Sequence, residues 1–162
     1  MATRGSAPVT HRVTAMRLSR GSRLVTWAVF LLPCSLSAQQ AEVTDTAVAS
    51  AEAAAHSWLT LVDQVRYGQS WDSAAAIFRN AVSKPAWERA VLAVRGPLEP
   101  FGARKLRSAT FSRVLPNAPP GEYVVLSYEA ALGGGRTAVE TVTPMRESDG
   151  RWRVSGYYVL TR

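Results

Sequence analysis

Beyond position 34 this chain has no cysteine, and it holds only two histidines, His11 and His56. Each scarcity closes off a class of chemistry. Without paired cysteines no disulfide framework can staple the fold, so the core must hold it. One histidine past residue 38 cannot supply the several His or Cys ligands that zinc takes at set spacing. No Gly-x-Ser-x-Gly elbow occurs, and no thiol is left to act as a nucleophile beside a base. The carboxylates are scattered, with no Asp-x-Asp-x-Asp-Gly calcium loop. The glycine-rich stretch 132–136 lacks the Gly-Lys-Ser/Thr that would cradle a phosphate, and it reads as a hairpin turn. No cofactor and no metal is expected.

Long apolar runs are also missing. The one candidate spans residues 24–36, short of the roughly 20 residues that a membrane-spanning helix needs, and Pro33 interrupts it. It follows five arginines (Arg4, Arg12, Arg17, Arg20, Arg23) with no acid among them. Small residues, Ser35, Ser37 and Ala38, come next. A basic segment, a short apolar run and a small-residue cleavage site make a secretory signal peptide over residues 1–38. Met16 would start a more compact version of it. The expected location is the periplasm or the exterior. Cys34 leaves a lipoprotein anchor as an alternative, although Pro33 stands where such signals want a small residue.

Removing that leader removes most of the positive charge. The five arginines leave 14 basic residues against 12 acids, so the net charge falls from +7 to +2. A nucleic-acid partner is not expected, because it needs a basic face on the folded domain.

Residues 39–46 read as a short polar linker, with Thr46 placed to cap a helix. Residues 47–162 then form a single domain. Ala47, Ala51, Ala54, Ala55, Trp58, Leu61, Val62 and Val65 recur at helical spacing. Gly68 suits a left-handed C-terminal position. Ser70 can cap a second helix carrying Trp71, Ala74, Ala75, Ile77 and Phe78. Ser83 can cap a third, with Pro85 in its first turn and Trp87, Ala90, Val91 and Val94 on its inner face. Gly96-Pro97 stops it, and a loop is expected to Gly102.

The period then changes to two. Strands are expected at 106–115, 122–132, 136–145 and 151–160. The second places Val124, Leu126, Tyr128 and Ala130 on one face, with Tyr123, Ser127 and Glu129 on the other. The last places Trp152, Val154, Tyr158 and Leu160 together, opposite Arg151, Arg153, Ser155 and Tyr157. Asp149-Gly150 is a hairpin signal. The expected fold is α+β: three N-terminal helices packed on one face of a curved four-stranded antiparallel meander.

Several runs point further. They are Trp58-Leu-x-Leu-Val-Asp63, Tyr67-x-x-Ser70-Trp71, Val139-Glu140-Thr141-Val142-Thr143 and Gly150-Arg151-Trp152-Arg153-Val154-Ser-Gly156-Tyr157. In this order the chain resembles the bacterial family called domain of unknown function 4019. The resemblance implies an exported protein and names no active site. The architecture also resembles NTF2-like and cystatin-like folds, which host enzymes, binders and assembly modules alike.

Two readings of function stay open. In the first the domain is a non-enzymatic binder of an apolar small ligand or a protein partner. An aromatic-lined pocket between helices and sheet would be built from Trp58, Trp71, Phe78, Trp87, Tyr128 and Trp152, with Asp63 and Tyr67 near its mouth. A homodimer through the open sheet face, or an anionic partner on a basic patch of Arg104, Lys105, Arg107, Arg113, Arg151 and Arg153, belongs to the same class. In the second reading it is a small enzyme of isomerase or cyclase type. Asp63 would work with His56 or Tyr67, since His56 and Asp63 share one helix face. Glu140 is read as one half of a cross-strand pair with an arginine.

Overall fold

The computed structural model describes residues 35–161. Most of the expected signal peptide, residues 1–34 with Cys34, lies outside the described residues. Among the described residues no helix is long and apolar enough to cross a membrane.

The first helix, α1, spans Ser35–Asp63. Residues 39–46 are therefore helical and not a linker, and Thr46 sits inside α1, where its hydroxyl donates to the carbonyl of Glu42 at 2.9 Å. Ala51, Ala55, Trp58, Leu59 and Val62 form its buried stripe. The helix closes with two paired turns of backbone. Val65 N–H donates to the Val62 carbonyl, and Arg66 N–H to the Leu61 carbonyl. The left-handed residue of this cap is Val65, at φ 58°, and not Gly68. Gly68 lies inside α2, against α4, where a Cβ would come within 2.6 Å of the Glu88 carboxylate.

The expected second helix is two short ones, α2 (Tyr67–Ser73) and α3 (Ala76–Ala81), so four α-helices stand where three were read. The break falls at Ala74 and Ala75, both extended. Both are fully buried. Ala75 N–H leaves the helical ladder to donate to the Val154 carbonyl at 2.8 Å. Ala76 N–H donates to the Glu147 carboxylate at 2.7 Å. Tertiary bonds to the sheet side thus overrule alanine's helix preference. Ser70 is buried within α2 and does not cap it. The last helix, α4 (Lys84–Arg95), has Ser83 at its N-cap position and proline in its first turn. A single 3₁₀ turn, Gly96–Leu98, follows.

Four strands complete the chain: β1 (Phe101–Ser112), β2 (Glu122–Leu132), β3 (Thr137–Arg146) and β4 (Trp152–Thr161). They pair antiparallel in the order β1-β2-β3-β4, a meander, and the fold is α+β. The first strand begins five residues before the expected position, directly after Pro100. Its register shifts between Leu106 and Ser108, which brings Arg104, Leu106, Ala109 and Phe111 to the face covered by helices.

A similar irregularity corrects the reading of the last strand. Thr143 faces Gly156 while Pro144 faces Val154, so Ser155 is an extra residue. This bulge flips the chain beyond it. Tyr157 turns inward against the core, while Tyr158 and Leu160 turn outward and are 58% and 51% exposed. Tyr123 does lie on the outer face with Ser127 and Glu129, yet it is buried, its hydroxyl donating to the Pro119 carbonyl at 2.8 Å.

Because β1 and β4 are the two opposite edges, their arginines do not form one patch. Arg107 pairs with Glu129, and Arg153 with Glu147 and Asp149. Arg104 points the other way, into the interface between helices and sheet.

Candidate functional site

The eight residues expected around one pocket occupy four places. Trp58 of α1, Phe78 of α3 and Trp87 of α4 pack ring against ring, together with Tyr157 of β4. Centroid separations are 5.6 Å for Trp58–Trp87, 5.0 Å for Phe78–Trp87 and 5.2 Å for Trp58–Tyr157. These tilted and edge-on geometries suit aromatic quadrupoles. Both indoles are satisfied: Trp58 donates to the Ser70 carbonyl at 2.8 Å, and Trp87 to the Ser70 hydroxyl at 3.0 Å. Trp71 lies at the rim of this cluster, donating to the Val82 carbonyl at 2.7 Å. Trp152 is half-buried at the start of β4, beside Val43 and Ala47 of α1 in a broad cleft of about 480 Å³. Tyr67 is buried in α2 and borders a shallow groove against α4. Asp63 and Tyr128 belong to a fourth place.

That fourth place is built on charge. Arg95 and Glu140 are both 0% exposed. The Arg95 guanidinium donates to Glu140 Oε1 at 2.8 Å and to Asp63 Oδ1 at 2.8 Å, and it meets Glu99 at 3.3 Å. Its face lies 3.7 Å from the Phe101 ring centroid. Arg104 enters from β1 opposite Ala130, whose small side chain leaves room. It donates to both Asp63 oxygens, each at 2.7 Å, and to both Glu140 oxygens. The Tyr157 hydroxyl donates to Glu140 Oε1. Two buried cations thus share Glu140 and Asp63, with the half-exposed Glu99 beside Arg95, and nearly every lone pair of the two shared carboxylates is taken, which is what buried ions require.

The electrostatics follow. Burial would raise the Asp63 carboxyl, but hydrogen bonds and charge from Arg104 and Arg95 outweigh it and hold the group below its ordinary value. Burial, then the Glu140 charge, pushes the Tyr157 hydroxyl well above the usual phenol range. Arg104 is desolvated, yet Asp63 and Glu140 raise its affinity for the proton further.

Sequence reasoning reached Asp63 and read Glu140 as one half of a cross-strand pair with an arginine, and Arg104 of β1 is such a partner. It missed Arg95 altogether. A signal for both exists. Glu140 falls between buried Ala138 and Val142 in a period of two, so it had to face inward. Arg95 falls four residues after Val91 and eight after Trp87, on the buried stripe of α4.

Beside this network lies a cleft of about 130 Å³ between α1 and the β1–β2 side of the sheet. Its helical wall is a stripe of Glu52, His56, Leu59, Thr60 and Asp63. Arg104 and Leu106 of β1 and Tyr128 of β2 form the opposite wall. The structure therefore brings His56, Asp63 and Tyr128 to one cleft. Tyr128 is 4% exposed, and its buried hydroxyl has no hydrogen-bond partner among the described residues. Burial, with the Glu52 charge next, pushes that hydroxyl up to about 12. Among the described residues no three His, Cys, Asp or Glu side chains are grouped to hold a metal ion.

The family model described as "Protein of unknown function (DUF4019)" matches residues 54–157 of the chain. The chain belongs to that family. The DUF4019 match contains the whole charge network and every lining residue of the cleft except Glu52, two positions upstream. No curated protein matches the chain. Among solved structures, one from Catenulispora acidiphila is similar at 12% identity, covering 76% of this chain and 94% of that one, with a TM-score of 0.49.

Proposed function

We propose that this DUF4019 protein is an exported, non-enzymatic binding domain on an NTF2-like architecture. Its ligand site is the cleft between α1 and the β1–β2 side of the sheet. The observation that carries the reading is the Tyr128 hydroxyl, buried and without a partner among the described residues, on a side chain that lines that cleft. A buried polar group left unpaired costs about 1–3 kcal/mol. A ligand able to bond it recovers that cost. The occupant favoured by this wall is polar, since the aromatic rings once read as an apolar pocket are stacked against one another.

The arrangement speaks against general acid–base work by Asp63. A general base functions best with a pKa near the working pH, whereas Asp63 is held ionised by two arginines that occupy its oxygens. The same pairing makes Asp63 a wall of the site and a fixed point for Arg104. Export rests on the basic, apolar and small-residue succession of residues 1–38. The N-terminal residue of protein recovered from an exporting host tests it, with a start near residue 38 or 39 expected.

Binding is tested by native mass spectrometry of that same material beside Tyr128→Phe. A small retained mass that leaves on denaturation, and that the variant lacks, is the expected result. Equal retention by both proteins would place the ligand elsewhere. Bare protein in both, with the Tyr128 hydroxyl proton in slow exchange with bound water, would end the reading.

A further inference from the structure

We infer that the cleft takes a small organic cation, its amine nitrogen seated between the Glu52 carboxylate and the Tyr128 hydroxyl. The inference rests on the cleft being a binding site and goes on to the class of ligand.

Most polar groups of the lining are already engaged with one another. Asp63 gives its oxygens to Arg95 and Arg104. Arg104 gives its guanidinium to Asp63 and Glu140. These charges cancel inside the protein and offer an incoming molecule little. Thr60 spends its hydroxyl proton on the His56 carbonyl, at 2.9 Å. Three lining groups remain uncommitted: the His56 ring and the Glu52 carboxylate on α1, and the Tyr128 hydroxyl on β2. Glu52 forms no ion pair with a described residue, and Tyr128 has its unpartnered hydroxyl. Glu52 and Tyr128 line the same small cleft, one from α1 and the other from β2.

The one lining charge without a counter-ion is therefore negative. An anion would meet Glu52 and find Arg104 already occupied. A bare metal ion would lack a third ligand among the described residues. An ammonium group can donate to Glu52 and to the Tyr128 oxygen at once, since it carries up to three N–H donors and no acceptor. Leu59 and Leu106 supply the apolar walls for its carbon atoms. Size sets the upper limit. The cleft, at about 130 Å³, is near the volume that accommodates a benzene-sized molecule, about six heavy atoms.

The test uses three probes of nearly one shape, ethanolamine, ethylene glycol and glycolate, added to the full chain. The readout is the chemical shift of the His56 ring and the Leu59 methyls. Ethanolamine should move these signals saturably at a concentration at least tenfold below ethylene glycol, and glycolate should leave them in place. Glu52→Gln lies on a half-exposed helix face and preserves shape. It should cost ethanolamine at least tenfold in affinity and leave ethylene glycol unchanged. Tyr128→Phe should weaken both. Ethylene glycol binding as well as ethanolamine would overturn the cation and leave the cleft as a site. Silence of all three probes up to about 100 mM, far weaker than millimolar affinity, would overturn the site as well.

Discussion

Val65 holds a backbone conformation that a β-branched residue rarely takes. Its φ of 58° closes the C-terminal cap of α1, and its side chain is 61% exposed. A left-handed conformation costs a non-glycine residue about 1–2 kcal/mol. Little packing offsets that here. Val65→Gly should therefore stabilise the domain by about 1 kcal/mol net of glycine's greater unfolded-state entropy, read as a higher urea midpoint. Two residues earlier, Asp63 links stability to pH. Its carboxyl is depressed in the folded state by Arg104 and Arg95. Its contribution is thus whole above the ordinary carboxylate value of about 4 and drains away as pH falls below it. Asp63→Asn should be less stable at neutral pH and lose less on acidification through about pH 4 to 2. Urea midpoints across that range check it, and parallel curves for the two proteins would contradict the linkage.

At the level of elements, the α2–α3 break depends on two side chains that stop at Cβ. Ala74 and Ala75 let the backbone approach β4 closely enough for the Ala75–Val154 bond of 2.8 Å. A longer side chain at Ala75 has no space, since overpacking a filled core costs about 1–3 kcal/mol. Ala75→Leu should lose about that much in thermal or urea unfolding, while Ala75→Ser should lose less. This break also marks where reading the sequence stops. Alanine is the best helix former, so nothing local announces a bend; the cause is a carbonyl almost 80 residues away. The strand order, the inward face of β2 and the Asp149-Gly150 turn were legible because period two and turn chemistry are local properties. The faces of Tyr157 and Tyr158 were not, because one extra residue at Ser155 reverses every later position. Of the site, the His56–Asp63 face could be read from helical spacing. The partners from β1, β3 and α4 could not, because which edge strand meets which helix is decided by topology.

For the molecule as a whole, the charge network takes one residue from each of five elements. Asp63 comes from α1, Arg95 from α4, Arg104 from β1, Glu140 from β3 and Tyr157 from β4. Glu140 is the central anion, and removing its charge leaves two buried cations sharing Asp63, with only the more distant Glu99 beside Arg95. Breaking such a group by deleting one partner costs about 3–5 kcal/mol. Glu140→Gln, which keeps the shape and half the acceptor capacity, should fall toward the lower end, at about 3 kcal/mol. The loss should be read by chemical denaturation, and a change below about 0.5 kcal/mol, the level of an ordinary surface substitution, would show that the network is not energetically central.

The same five-way attachment bears on how the molecule comes apart. A helix held to a sheet only by apolar contacts can lift away and be rewetted by degrees. Here, raising α1 or α4 alone would strand an ion in a medium that screens it poorly. Partial openings of those elements are therefore nearly as costly as complete unfolding, and α1, α4 and the sheet form one cooperative unit in amide exchange. The short helices α2 and α3 contribute no ion to the network. Neutral hydrogen bonds and ring contacts hold them instead, so they are the segments expected to open first.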